Sequence, residues 1–380
     1  MKMITRFGVK RILVGCTAIA IVFWLVAVRA GMPTLDQSGP LPVYTFATMA
    51  SAGEPGTNSL VLEASGPKSL AVDGQGNVFF AEMHHQVICE LTVSGSLKII
   101  AGQWDAIGSA DGPSAVARFN CPRGIALDAD GNIYVADSCN NTIRRITTNS
   151  VVSTLAGKAK AFGAVDGVGS EARFSYPCDL AVDASGMIYV ADIYNCLIRK
   201  VTPGGVVTTF AGRAGESGVV NGRGGNAQFE MPSSIAVDAA GNVFVAEMLQ
   251  CCIRKITPDG SVTTFVGKPT YSGGNVDGVG HAARFKKPTG LAVDATGNVY
   301  VADLGNRSIR RITPDSTVST LASFSSEPNN VAVSVNEFAH PFRIALDSVG
   351  NIYLTDTKYP GIRKGIPAPA DSMPLTLAAL

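Results

Sequence analysis

Charge is scarce in this chain. Only 16% of its 380 residues are Asp, Glu, Lys or Arg, and 31 basic against 30 acidic side chains leave a formal charge of +1. A protein that neutralises phosphates needs a basic face, so this balance argues against a nucleic-acid partner. Histidine occurs four times, as His84, His85, His281 and His340, which restricts any imidazole metal site to those positions. The eight cysteines include no Cys-x-x-Cys pair, so a cysteine metal cluster has little support. No Gly-x-Ser-x-Gly elbow, phosphate loop or dinucleotide fingerprint occurs in a fitting context, so no committed catalytic set is legible.

What is abundant is glycine, with 41 residues, as many short strands joined by tight turns require. One apolar run stands apart. Lys2, Arg6, Lys10 and Arg11 precede an uncharged, mostly apolar stretch from Ile12 to Val28, which Arg29 ends. Its 17 residues lie near the lower limit for a membrane-crossing helix. The positive flank predicts that it stays inside and that everything after it is exported. Trp24 and the length favour a retained signal-anchor over residues 1–30, whereas Val28-Arg29-Ala30 resembles a cleavage site. The rest of the chain is therefore expected outside the cytoplasm: membrane-anchored, or secreted or periplasmic if cleaved near Ala30.

The rest of the chain repeats. Ala-(Val/Leu)-Asp ends at Asp73, Asp128, Asp183, Asp238, Asp294 and Asp347, at intervals of 55, 55, 55, 56 and 53 residues. Six residues before each Asp stands a proline: Pro67, Pro122, Pro177, Pro232, Pro288 and Pro341. Three residues after it stands a glycine, and nine after it an acid: Glu82, Asp137, Asp192, Glu247, Asp303 and Asp356. Within one unit, Gly124–Leu127 reads as strand a, Asp128–Asn132 as a turn and Ile133–Ala136 as strand b. Ile143–Thr147 then reads as strand c and Val151–Leu155 as strand d.

Strands a and b are apolar on both faces, as in a sheet covered on both sides. Strand c carries basic pairs such as Arg144-Arg145, which fit an outer, half-wet strand. The prediction is an all-β, six-bladed β-propeller of four-stranded antiparallel blades over residues 41–380, preceded by one N-terminal hydrophobic helix and a linker at 31–40. Closure needs an outer strand for blade six. Residues 41–47 resemble strand d, and Met373–Leu377 is the rival.

The segment Pro122–Thr147 and its copies resemble the NHL repeat, a family of six-bladed propellers. The connections at 111–122, 166–177 and 277–288, with their Asp-Gly and Ala-Arg-Phe elements, are similar to long-loop NHL repeats of exported bacterial and cell-surface proteins. Copies one and six depart most from the pattern, so the weakest blades lie at the seam.

In such a ring the b–c loops and the long d–a connections share one face, which is the default binding face. Positions alike in every copy hold blades together, and positions that differ are free to recognise something. The acids that end strand b recur in all six copies. They form a structural ring bonded to loop amides or to Arg118, Arg173 and Arg284, or else a cation site. The positions that differ supply the binding candidates Lys68, Arg123, Asp179, Tyr194, Arg307, Phe342, Arg343 and Tyr359. They suit a protein, peptide or glycan ligand. An alternative is a metal-dependent lyase or hydrolase in which His84, His85 and His340 meet at the seam. Another is a structural scaffold with no ligand. No cofactor is predicted outright; zinc at the histidines or calcium at the acids and Asp-Gly loops are the alternatives. Loop cysteines on blades two to four read either as disulfides or as free thiols.

Overall fold

The computed structural model describes residues 44–51, 67–323, 340–358 and 361–367. The N-terminal apolar segment, the linker, Tyr359 and the 373–377 stretch lie outside the described residues. Among the described residues no helix is long and apolar enough to cross a membrane.

Six antiparallel sheets are present. Blade two shows the plan: strands a (Pro122–Leu127), b (Ile133–Asp137), c (Thr142–Ile146) and d (Val151–Gly157) hydrogen-bond in sequence order. Blades one, three, four and five repeat this order with strand a at Ser69–Val72, Pro177–Val182, Pro232–Val237 and Pro288–Val293. Blade six takes strands a to c from Pro341–Leu346, Ile352–Asp356 and Gly361–Pro367, and its outer strand from Tyr44–Ser51. The chain's early segment therefore closes the ring. Tyr44 pairs with Pro367 and Phe46 with Gly365. A Cβ on Gly365 would lie 2.4 Å from the Phe46 ring, so glycine is needed there for the ring to lie flat on the strand.

Four blades differ from the four-stranded expectation. Gly112–Pro113, Gly167–Val168, Gly222–Arg223 and Gly278–Val279 each add a two-residue fifth strand outside strand d. The Asp-Gly connections thus travel to the rim of the blade before returning to its centre.

The repeated turn between strands a and b is explained by its aspartate. Asp128 Oδ1 accepts from Asp130 N at 3.0 Å and Asn132 N at 2.8 Å, while its Oδ2 accepts from Asn132 Nδ2 at 2.9 Å and Tyr134 Oη at 3.0 Å. Gly131 supplies the left-handed residue, with φ +82°.

The core divides into six clusters, each shared by neighbouring blades. Leu70 and Phe80 of blade one pack with Tyr353 and Ile362 of blade six, so the seam is closed by the same kind of burial as the other junctions.

The basic strand c is not half-wet throughout. Arg144, Arg199, Arg254 and Arg310 are fully buried, and only their neighbours, such as Arg145, are half-buried. Arg144 Nη1 donates to Asp137 Oδ2 and to Arg118 O, both at 2.8 Å. Its Nη2 donates to Asp111 Oδ1 at 2.6 Å and Ala110 O at 2.9 Å. The guanidinium lies 5.0 Å from the Phe119 ring centroid. The same arrangement recurs around Arg199, Arg254 and Arg310, with Asn221 in place of the loop aspartate in blade four. Each arginine thereby joins strand b, strand c and the incoming connection.

Two stability predictions follow from these contacts. Arg199→Met strands the buried Asp192 carboxylate and should cost about 3–5 kcal/mol; a loss under about 1 kcal/mol by urea denaturation would contradict the account. Phe46→Ala should cost about 3 kcal/mol or more and lower the urea midpoint, because the ring is 6% exposed and seals blade six. An unchanged midpoint would mean that the outer strand does not fasten the ring.

Candidate functional site

The six strand-b acids are spent internally. Asp137, Asp192, Glu247, Asp303 and Asp356 are wholly buried and Glu82 is 2% exposed. Asp137 Oδ1 accepts from Asn120 N at 2.7 Å, and its Oδ2 accepts from Asn140 Nδ2 at 2.7 Å as well as from Arg144. Asp192 and Asp303 have the same partners in their blades. Burial raises these three aspartates to about 6 and Glu247 to about 7, against the pull of the arginine and the loop donors. The loop-amide part of the expectation describes this pattern, but the arginine partner differs. Arg118, Arg173 and Arg284 instead donate to carbonyls of their own loops. Asp111, Asp166 and Asp277 are likewise engaged by the buried arginines and by Thr154, Thr209 and Thr320.

The b–c loops prove partly structural too. Their last residues, Gln86, Asn141, Cys196, Cys251 and Arg307, all have φ between +51° and +61°. So do the residues before the strand-a prolines: Cys121, Tyr176, Met231 and Lys287, at +50° to +58°. Such backbones cost free energy for side chains other than glycine and persist only where the surroundings hold them. Three of these loop ends latch onto the next blade. Gln86 Oε1 accepts from Cys121 N at 2.6 Å, Asn141 Oδ1 from Tyr176 N at 2.8 Å, and Cys251 Sγ from Lys287 N at 3.5 Å. Composition alone gives no sign of these latches. The 35- or 36-residue offset between latch and target is their only trace in the sequence.

Strand a lines the central channel, and its first residues form one mouth. Neighbouring strands approach closely there: a Cβ on Gly124 would lie 2.7 Å from Asp179 Cα, and one on Gly290 would lie 2.8 Å from Arg343 Cα. Arg343 is not an open-face residue. It is 4% exposed, and its guanidinium donates to Lys68 O at 3.1 Å, Ser233 O at 3.0 Å and Thr289 O. Those carbonyls come from blades one, four and five, so the side chain spans the channel and plugs it. Asp179, 5% exposed, accepts from Ser234 Oγ at 2.7 Å and Ile235 N at 3.1 Å, which ties blade three to blade four. Beyond this level the channel is a cavity of about 240 Å³ lined by Leu70, Ile125, Leu180, Ile235, Leu291, Ile344 and the residues that follow each.

The remaining mouth residues face outward. Phe342 is half-buried and sits between two cations, 5.6 Å from Lys68 Nζ and 5.0 Å from the Arg343 guanidinium. Arg123 lies 5.5 Å over the Tyr176 ring, which stacks at 4.9 Å on Tyr194. Tyr194 is 59% exposed, and Phe162 and Ile107, on the d–a connections of the same face, are 79% and 67% exposed. Arg307 is half-buried at its loop end, and Tyr359 lies outside the described residues. Burial lowers the Lys68 pKa, and the cations Arg123 and Arg343 lower it further against the opposing pull of Glu82.

The histidines are engaged separately. His85 stacks on Trp104 with centroids 3.7 Å apart, and its Nδ1 is 2.7 Å from Asp105 Oδ1. His84 is exposed, and His340 N donates to Asp356 Oδ1 at 3.3 Å. Among the described residues no group of three or more His, Cys, Asp or Glu is arranged to hold a metal ion. The seven described cysteines are all free thiols, and Cys121 and Cys139 lie side by side at the mouth of blade two.

Comparison with known proteins agrees with this architecture. Residues 119–146 and 285–312 match the NHL repeat family. Mouse teneurin-1 is 29% identical over 254 residues, 58% of this chain and 9% of teneurin-1. Cattle NHL repeat-containing protein 2 is 28% identical over 331 residues, 77% of this chain and 45% of the relative. The chain thus spans less than half the length of these relatives. A Bacteroides thetaiotaomicron structural-genomics protein of unknown function superposes with a TM-score of 0.62 at 18% identity, over 85% of this chain and 76% of its own. The internal repeat, the closed ring of six sheets and these matches together identify the chain as a six-bladed β-propeller that contains NHL repeats.

Proposed function

We propose that this propeller is a recognition module that binds a segment of another protein on the face carrying the b–c loops and d–a connections. It is held outside the cytoplasm by, or released from, the N-terminal apolar segment. The observation that carries this reading is the contrast between that face's recurring and differing positions. Recurring polar groups there are consumed by the buried arginines and the inter-blade latches. The positions that differ leave Ile107, Phe162 and Tyr194 largely in solvent around a mouth that bears Lys68, Arg123 and Phe342. Exposed aromatic and aliphatic side chains beside cations are the composition of protein-binding patches. NHL propellers generally bind proteins, which supports the same class of partner. A lyase reading has less support, because His85 is already committed to Trp104 and Asp105.

Partner capture by the full chain should fall at least about tenfold in Tyr194→Ala and in Phe162→Ser, since central aromatic contacts carry much of an interface's energy. Val349→Ser is the control. This residue is 74% exposed on an a–b turn, at the other end of the strands, and its change should leave capture unaltered. Capture that depends on Val349 and ignores Tyr194 and Phe162 would place recognition on the wrong face.

A further inference from the structure

The buried arginines of strand c and of the channel have their terminal Nη groups occupied. Arg144 makes four hydrogen bonds through Nη1 and Nη2, and Arg343 donates to three carbonyls. Arg123 does not follow this pattern. Among the described residues its one hydrogen bond runs from Nη1 to Tyr176 Oη and is 3.5 Å long, at the outer limit for such a bond. Its Nε is enclosed without a partner, as is that of Arg144, so the difference lies at Nη1 and Nη2; no carboxylate of the described residues forms an ion pair with it. The side chain is nevertheless held in place. It lies over Tyr176, whose backbone is latched to Asn141 and whose ring stacks on Tyr194.

The surrounding groups offset this charge only in part. Asp179 attracts Arg123 and Arg343 alike without an ion pair to either, and its Oδ2 accepts from Ser234 Oγ and Ile235 N. Cys178 and Cys139 stay neutral, since burial pushes both thiols up to about 12. Lys68 and Arg343, from the neighbouring blades one and six, add positive charge at the mouth, and Glu82 offsets part of it. A half-buried guanidinium with an open fork matches a carboxylate, which can take two parallel N–H···O bonds.

We infer that the channel mouth contains a carboxylate-binding subsite centred on Arg123, with Tyr176 and Tyr194 as its aromatic wall. This inference rests on the recognition reading above and names the chemistry of the partner: an acidic side chain or a chain-terminal carboxylate. Arg343 plugs the channel behind the subsite, so the bound group stops at the mouth.

The test titrates the full chain with small probes at low ionic strength, following the Arg123 Nε–H resonance. N-acetyl-glutamate α-amide presents a side-chain carboxylate, N-acetyl-alanine a terminal one, and N-acetyl-glutamine amide is the neutral counterpart. At least one acidic probe should shift the resonance saturably while the neutral amide does not. The stronger of the two acidic probes shows which source the site prefers. Arg123→Lys, followed through tyrosine ring resonances of the mouth, retains the charge without the fork and should weaken that probe at least about tenfold. In Arg123→Gln, followed through tyrosine ring resonances of the mouth, saturable binding should vanish, with an unchanged thermal midpoint showing that the fold is intact. The inference is overturned if acidic and neutral probes behave alike, if neither acidic probe saturates, or if Arg123→Gln binds as the parent does. It fails separately from the recognition reading: partner capture lost in Tyr194→Ala but retained in Arg123→Gln would keep the face and remove the subsite.

Discussion

A guanidinium with no exposed surface sits in four of the six blades, and the blade architecture depends on it. Burying a charge is expensive, and an ion pair offsets that cost only when its geometry is good and its remaining donors are met. Here Arg144 meets Asp137, Asp111 and two carbonyls on one side and the Phe119 ring on another. Strand c carries the arginine, and strand b and the d–a connection supply its partners. None of the three can shift register without stranding a buried charge. That makes the arginine a determinant of where each connection folds back, which an apolar side chain of similar volume would not specify.

The two blades at the seam solve the same problem differently. Cys89 occupies the arginine's register in blade one, opposite Phe80, as Arg144 lies opposite Val135. In blade six Arg363 keeps the position, but it lies 3.9 Å from Asp356 and donates to Thr48 Oγ1 of the closing strand. The closing strand therefore does part of what the Asp-Gly connection does elsewhere. Phe46, laid on Gly365, supplies apolar burial at the same junction.

Much of this was legible in the sequence because a repeat exposes its own register. The Asp-x-x-Gly turn, the proline before strand a and the spacing of 53 to 56 residues give blade number and strand order directly. The pull of residues 44–47 toward blade six was legible through their likeness to strand d. Other features were hidden for a physical reason. Arg144 and Arg145 are adjacent and alike, and only the pleat decides which enters the blade interior. With both faces of the sheet covered, no polar-apolar alternation marks the choice. The fifth strands are two residues long, too short to carry a pattern. Arg343 looked like a rim residue because sequence gives no measure of how narrowly six strands converge. Only the close approaches at Gly124 and Gly290 show that its side chain reaches across the channel.

The same reasoning separates scaffold from site. A group that every blade repeats meets an equivalent neighbour in every blade, so its hydrogen bonds are satisfied six times in nearly the same way. The first residues of strand a escape this averaging. Lys68, Arg123, Cys178, Ser233, Thr289 and Phe342 share one position and six chemistries. Ser233 and Thr289 turn inward, toward Ala246 O and Ala302 O, and Cys178 toward Pro232 O. Lys68, Arg123 and Phe342 are half-buried and keep part of their surface at the mouth. The symmetry of the ring is thus broken on the side of blades six, one and two, with Tyr176 and Tyr194 of blade three at its border. Any ligand of the mouth meets cations and aromatic faces there, and small, hydrogen-bonded side chains on the opposite side. Such a polarised rim fixes the orientation of a bound chain as well as its place.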